Sequence, residues 1–117
     1  MTRPHENLDA WLQAIRLVKA VYLITRTFPR EELYGLSSQM RRAAVSIPSN
    51  LAEGAARSTR KEFAQFICIS MGSLSELETQ TLIASELSYL PPRHEIFSHI
   101  ERVAQLLHGL HRNVLGE

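Results

Sequence analysis

A chain of 117 residues, 44% hydrophobic and 21% charged, has the length of one domain and the makeup of an ordinary globular protein. Thirteen Lys and Arg against twelve Asp and Glu leave a net charge of +1, so no overall imbalance marks a nucleic-acid or membrane partner. The single cysteine, Cys68, excludes an internal disulfide and a Cys-rich zinc site; with no apolar run near the ~20 residues of a membrane span, no membrane partner and a cytoplasmic location are expected.

Five prolines, Pro4, Pro29, Pro48, Pro91 and Pro92, cut the chain into long segments that favour helices. The first predicted helix spans residues 8–28. Leu8, Trp11, Leu12, Ile15, Val18, Tyr22 and Thr25 recur in steps of three and four, and a second apolar row, Leu17, Val21, Ile24 and Phe28, runs beside it. Asp9, Gln13, Arg16, Lys19 and Arg26 are left a narrow polar strip, so this helix is expected to bury one face in its own bundle and another against a second chain. Trp11, Tyr22 and Phe28 are the candidates for that outer contact. Asn7 or Asp9 offers an N-terminal cap or first-turn negative charge, and Pro29 stops the segment.

The second helix is predicted over residues 33–56, with Leu36, Met40, Ala43, Ile47, Leu51 and Ala55 on one side. Pro48 has no N–H to give Ala44 and its ring crowds that carbonyl, at a cost of ~3 kcal/mol where nothing compensates. Because the apolar spacing keeps its phase across Pro48, the reading is one kinked helix, with Ser46, Ser49 and Asn50 serving the backbone groups that the proline frees. Thr59-Arg60-Lys61-Glu62 is a capping box, which places a third helix over residues 60–88. Its middle holds Ser70, Gly72, Ser73 and Ser75, and Gly72 points to close approach of a neighbour. Pro91 and Pro92 end that element and open a fourth helix over residues 92–115, where Ile96, Ile100, Val103, Leu107, Leu110 and Val114 alternate in steps of four and three. Four helices with short connections imply a single all-α domain over residues 1–117, an up-down-up-down four-helix bundle.

Candidate chemistry is sparse. No Glu-x-x-His pair occurs, so the ligand set of a bundle di-iron site is missing, and His94, His99, His108 and His111 read as exposed or interfacial side chains. Cys68 among Phe66, Ile67, Ile69 and Met71 reads as a small core hydrophobe. With no nucleotide loop and no nucleophile elbow, neither a cofactor nor an enzyme activity is expected. Charge is uneven along the chain: residues 1–30 hold five basic and two acidic groups, whereas residues 63–90 hold Glu76, Glu78 and Glu86 and no Lys or Arg. Arg16, Lys19 and Arg26 on the first helix, Arg41 and Arg42 on the second, and Arg57, Arg60 and Lys61 beyond it are the candidate phosphate contacts, if they project side by side. The alternative is a solvated face with local ion pairs.

The stretch Arg41-Arg42-Ala43-Ala44-Val45-Ser46-Ile47-Pro48-Ser49-Asn50-Leu51-Ala52-Glu53-Gly54, followed by Ala55-Ala56-Arg57-Ser58, closely resembles the signature of the bacterial 23S rRNA intervening-sequence protein family. Glu62-Phe63, Phe66, Gly72-Ser73, Glu76-Leu77-Glu78 and Leu87-Ser88-Tyr89-Leu90 agree as well, while Ser88 stands where that family commonly has glycine. The resemblance implies a four-helix bundle assembled into a homopentamer, similar to the accessory protein of diversity-generating retroelements, which associates with nucleic acid and a polymerase. The motif residues Ser46, Pro48, Asn50, Glu53, Gly54, Arg57 and Ser58 carry two readings. In one, Pro48 and its polar neighbours shape the helix and Gly54 admits a close neighbour. In the other, Asn50, Glu53, Arg57 and Ser58 contact a polar ligand or another subunit. The leading expectation is a non-enzymatic oligomer whose basic face binds RNA or DNA and a protein that acts on nucleic acid; the alternative is a protein-interaction scaffold without nucleic-acid affinity.

Overall fold

In the computed structural model, which describes residues 3–116, four α-helices follow in chain order: α1 Asp9–Thr25, α2 Leu36–Ala55, α3 Arg60–Glu86 and α4 Ile96–Val114. Short 3-10 turns at Pro4–Asn7 and Arg30–Glu32 precede α1 and α2. α1 packs on α2, α2 on α3, α3 on α4, and α4 returns to α1, which closes a four-helix bundle; no strand occurs among the described residues. Neighbours meet end to start. Gly54 near the end of α2 lies against Phe63 and Phe66 at the start of α3, and Arg60 at the head of α3 donates to the carbonyls of Asn113 and Val114 at the foot of α4, each at 2.8 Å. None of these helices is long and apolar enough to cross a membrane.

The core follows the apolar spacing most faithfully in α4. Ile96, Ile100, Val103, Leu107 and Val114 are buried and Leu110 is half-buried, each fully buried side chain contributing on the order of 1.5–3 kcal/mol. α1 turns one apolar face inward and leaves another outside. Its inner row is Ala10, Ala14, Leu17, Val21 and Thr25, continued by Phe28 in the following turn, whereas Leu12, Ile15 and Tyr22 of the other row remain 41%, 44% and 38% exposed. The small side chains of Ala10 and Ala14 let the helix approach its neighbours closely, so the bulkier row is the one left outside. α1 also ends at Thr25, three residues before the predicted boundary. The buried Thr25 hydroxyl donates to the Val21 carbonyl at 2.7 Å, and backbone bonds from Thr27 to Ile24 and from Phe28 to Thr25 turn the chain toward Pro29.

α2 starts at Leu36 rather than Leu33, because residues 33–35 form a turn and the Glu32 carboxylate takes the Leu36 N–H at 3.2 Å in place of the cap that Gly35 cannot supply. From there α2 continues through the buried Pro48 to Ala55 as one helix. Asn50 Nδ2 donates to the Ser46 carbonyl at 2.8 Å and to Ser46 Oγ at 2.9 Å, so the amide flanking the proline serves its own helix.

At the head of α3 the Thr59 hydroxyl accepts from the Glu62 N–H at 3.1 Å as the capping box predicts. The reciprocal half differs: the Glu62 carboxylate accepts from the Thr59 hydroxyl at 3.1 Å instead of reaching the cap N–H. The foot of α3 closes two residues early in a Schellman turn, with Tyr89 N–H bonded to Ala84 O and Ser88 N–H to Ser85 O, both at 2.9 Å. Ser88 sits at the left-handed position with φ 64°, where a residue without Cβ is least strained. Gly72 is a correction, since a Cβ there would meet nothing within 4 Å and no neighbour approaches it within the subunit. α4 begins at Ile96 rather than residue 92. After the exposed Pro91 and Pro92, His94 Nδ1 accepts the Ile96 N–H at 3.0 Å and so caps the helix from outside it.

Candidate nucleic-acid interface

The eight basic candidates do not converge on one patch. Arg41 lies near the head of α2 and Arg57 just past its foot, and the helical run from Arg41 to Ala55 alone spans ~21 Å, so one group gathers at each end of that helix. At the far end Arg57 Nη2 bonds Glu53 Oε1 at 3.0 Å and its guanidinium lies 4.9 Å from the Phe66 ring centroid. Arg60 is committed to the two α4 carbonyls, which places its charge where the C-terminal end of a helix dipole favours it. Only Lys61 of that group is exposed without a recorded polar contact among the described residues.

At the near end the arrangement is more open. Arg41 Nε donates to Thr25 Oγ1 at 2.8 Å, and its guanidinium lies 4.7 Å from the Tyr22 ring centroid, a cation–π contact that joins the foot of α1 to the head of α2. Arg42 is exposed beside it, and both arginines line a groove of about 660 Å³ with Tyr22, Tyr34, Ser38 and Val45. Arg26, just past α1, is exposed at the same end, while Arg16 and Lys19 are exposed farther back along α1. Arg30, in the turn between the helices, adds a further exposed cation that the sequence reading left out.

The motif residues divide between packing and solvent. Ser46 Oγ lies 2.8 Å from Ser73 Oγ, and the buried Ser70 hydroxyl donates to the Ile47 carbonyl at 2.9 Å, so small α3 side chains engage α2 at the two residues just before its proline. At Gly54 a Cβ would fall 2.5 Å from Phe66 Cβ and 3.1 Å from Phe63 Cδ1, so only glycine fits without displacing α3. Asn50 faces the Ser46–Ser73 contact, whereas Glu53, Arg57 and Ser58 are exposed.

Of the outer-contact candidates, Trp11 is half-buried with its ring 4.8 Å from that of His5 and lines a shallow apolar groove with Ile15, Val18, Val45, Pro48 and Ala52. Tyr22 is exposed. Phe28 is a correction: it is 7% exposed and its ring centroid lies 5.3 Å from that of Tyr89, inside the subunit's own core. Its place in the buried row, seven residues after Val21, carried that signal. Two features escaped the sequence reading. Tyr34 is 93% exposed at the rim of the arginine-lined groove, and Leu33 beside it is 46% exposed. Cys68 is exposed rather than a core hydrophobe, with Sγ 3.3 Å from His111 Nε2 across α3 and α4. The continuous apolar run around Cys68 hid its phase, one residue beyond the buried Ile67. Among the described residues no three His, Cys, Asp or Glu side chains gather as metal ligands would.

Glu32 fixes the turn that carries Tyr34. Its Oε1 holds the Leu36 N–H, and its Oε2 accepts from the Tyr89 hydroxyl at 2.9 Å. That hydrogen bond, helped by desolvation and the charge of the carboxylate, raises the Tyr89 phenol above its ordinary range.

The family model described as 23S rRNA-intervening sequence protein matches residues 6–109, and the chain belongs to that family. No curated protein matches the sequence.

Proposed function

Taking that family membership as premise, we propose that the protein is a non-catalytic, self-associating bundle, a cytoplasmic homopentamer, that binds RNA or DNA through the basic surface where α1 ends and α2 begins and thereby meets a protein acting on nucleic acid. The observation that carries this reading is the unequal use of the cations. Arg57 and Arg60 are spent on internal partners, whereas Arg41 and Arg42 line one groove and Arg26 and Arg30 are exposed in the segment that joins α1 to α2. Phosphate backbones are bound by such clusters through counterion release, which needs exposed charge rather than base-reading geometry. Arg16 and Lys19 extend the charge along α1, and repetition around a symmetry axis multiplies it.

Self-association is supported by the row of α1 that its own bundle does not cover. Leu12, Ile15 and Tyr22 of that row are 38–44% exposed, Leu23 adds a further exposed side chain of α1 at 48%, and Val45 of α2 is exposed at 40%. The same surface favours a second reading, a protein-interaction scaffold without nucleic-acid affinity. Titrating labelled RNA and DNA at several salt concentrations separates the two: the first reading expects log affinity to fall with log salt by about 0.9 per duplex-DNA phosphate neutralised. Absence of binding at low salt leaves the scaffold. Light scattering on a sizing column is expected to give five subunit masses, and a single-subunit mass removes self-association from the proposal.

A further inference from the structure

We infer that the groove at the head of α2 takes a single-stranded nucleic acid, with an unpaired base stacked on Tyr34 and its phosphates on Arg41 and Arg42; this rests on the nucleic-acid reading above and narrows it to one strand form. Tyr34 is the most exposed large hydrophobic side chain of the described residues, at 93%, so its ring is presented to solvent rather than to any helix of its own bundle. The ring nevertheless rises from a fixed base. Leu33 N–H bonds Arg30 O at 3.1 Å, Gly35 N–H bonds Glu32 O at 3.0 Å, and the two oxygens of Glu32 tie the turn to Leu36 and to Tyr89. A backbone already held in place leaves only the ring's own side-chain rotation to be lost when a ligand settles on it.

The groove beside this ring combines the two components that sequence-tolerant single-strand binding uses, a cationic track for the backbone and an aromatic face for a base. Arg41 is oriented by Thr25 and by the Tyr22 ring, and Arg42 and Ser38 stand along the same wall. The adjoining turn also carries negative charge, an exposed Glu31 and a Glu32 whose two donors are neutral and leave its charge in place. The wall of the groove itself holds Arg41 and Arg42 and no carboxylate. Duplex DNA keeps its bases stacked on one another, so Tyr34 gains nothing from it and only the arginines contribute. A single strand engages both.

The test measures fluorescence anisotropy of labelled oligonucleotides with the full-length protein: a 15-mer of thymidine, a 15-mer of uridine, and a 15-base-pair duplex, each at several salt concentrations. The single strands are expected to bind more tightly than the duplex. Tyr34→Ala is expected to weaken single-strand binding roughly ten-fold or more, the loss of one base stack, and to leave duplex binding within about two-fold, while Tyr34→Phe keeps the wild-type preference. Arg42→Ala is expected to flatten the salt dependence for both forms. Equal affinity for single strand and duplex, or an unchanged Tyr34→Ala, overturns this inference and leaves the nucleic-acid reading standing. No binding of any oligonucleotide at low salt removes both. Light scattering of Tyr34→Ala guards the interpretation: loss of binding together with loss of assembly assigns the ring to subunit contact and overturns the stacking role.

Discussion

The two long edges of α2 are built differently. On the edge facing α3 the backbone comes so close that Gly54 has no room for a methyl group, and hydroxyls of Ser70 and Ser73 reach Ile47 O and Ser46 Oγ across the seam. On the edge facing α1 one arginine, Arg41, reaches across to Thr25 and Tyr22, and Ile15, Tyr22 and Val45 stay partly in water. A seam closed by small residues and satisfied polar groups leaves no surface for a partner. The α1 seam is packed through buried apolar side chains and bridged at its rim by that one charged side chain, and it keeps a groove lined by Arg41, Arg42, Tyr22 and Tyr34. One helix thus supplies both the rigid half of the bundle and its candidate binding face.

If the contrast is right, Gly54→Ala should have the largest effect. Overpacking against Phe66 is expected to cost about 1–3 kcal/mol in chemical denaturation, reversing the gain of up to about 1 kcal/mol that alanine ordinarily brings to a helix interior. Gly72→Ala on the open side of α3 is the matched control and should stabilise by about 0.5–1 kcal/mol; a loss instead would place another subunit against Gly72. Ser70→Ala removes a buried hydroxyl bond from the tight seam and is expected to cost about 1 kcal/mol. Thr25→Val cuts the Arg41 anchor of the open seam and should cost less than Ser70→Ala, because the half-buried guanidinium can turn to water. If the order of these two is reversed, the α1 edge is not the weaker one.

The smallest expected effect concerns pH. Folding raises the Tyr89 phenol above its unfolded value of about 10, so its stabilising contribution is complete below that pH and fades as pH rises through the folded value. Tyr89→Phe should therefore abolish the part of the alkaline decline that belongs to the turn behind Tyr34, as read from denaturation midpoints between pH 8 and pH 11. A decline of the same size in the variant would show that other groups govern it.

Much of the fold was legible because helices announce themselves by local rules. The alternating steps of α4 named its buried row, Thr59 and Glu62 marked the head of α3, and the prolines bounded the segments. Ends were less legible. Glu32 and His94 cap α2 and α4 from four and two residues before the N–H they take, outside the cap position that sequence preferences describe. Of the candidate site, the arginines were visible as residue types but their availability was not. Arg57 and Arg41 look alike in sequence, yet one, just past the end of α2, pairs with Glu53 of that helix four residues back, and the other is oriented beside a groove by a residue of a different helix.

Periodicity, proline and capping thus settled the count of helices and their approximate spans, since each depends on neighbours within a turn or two of chain. Which of α1's two apolar rows goes inside, which glycine is crowded, where Cys68 and Phe28 reside, and which cations stay exposed were decided by the assembled bundle. Those properties depend on the distance between helices and on what the neighbouring helix presents, and side chains far apart in the chain set both.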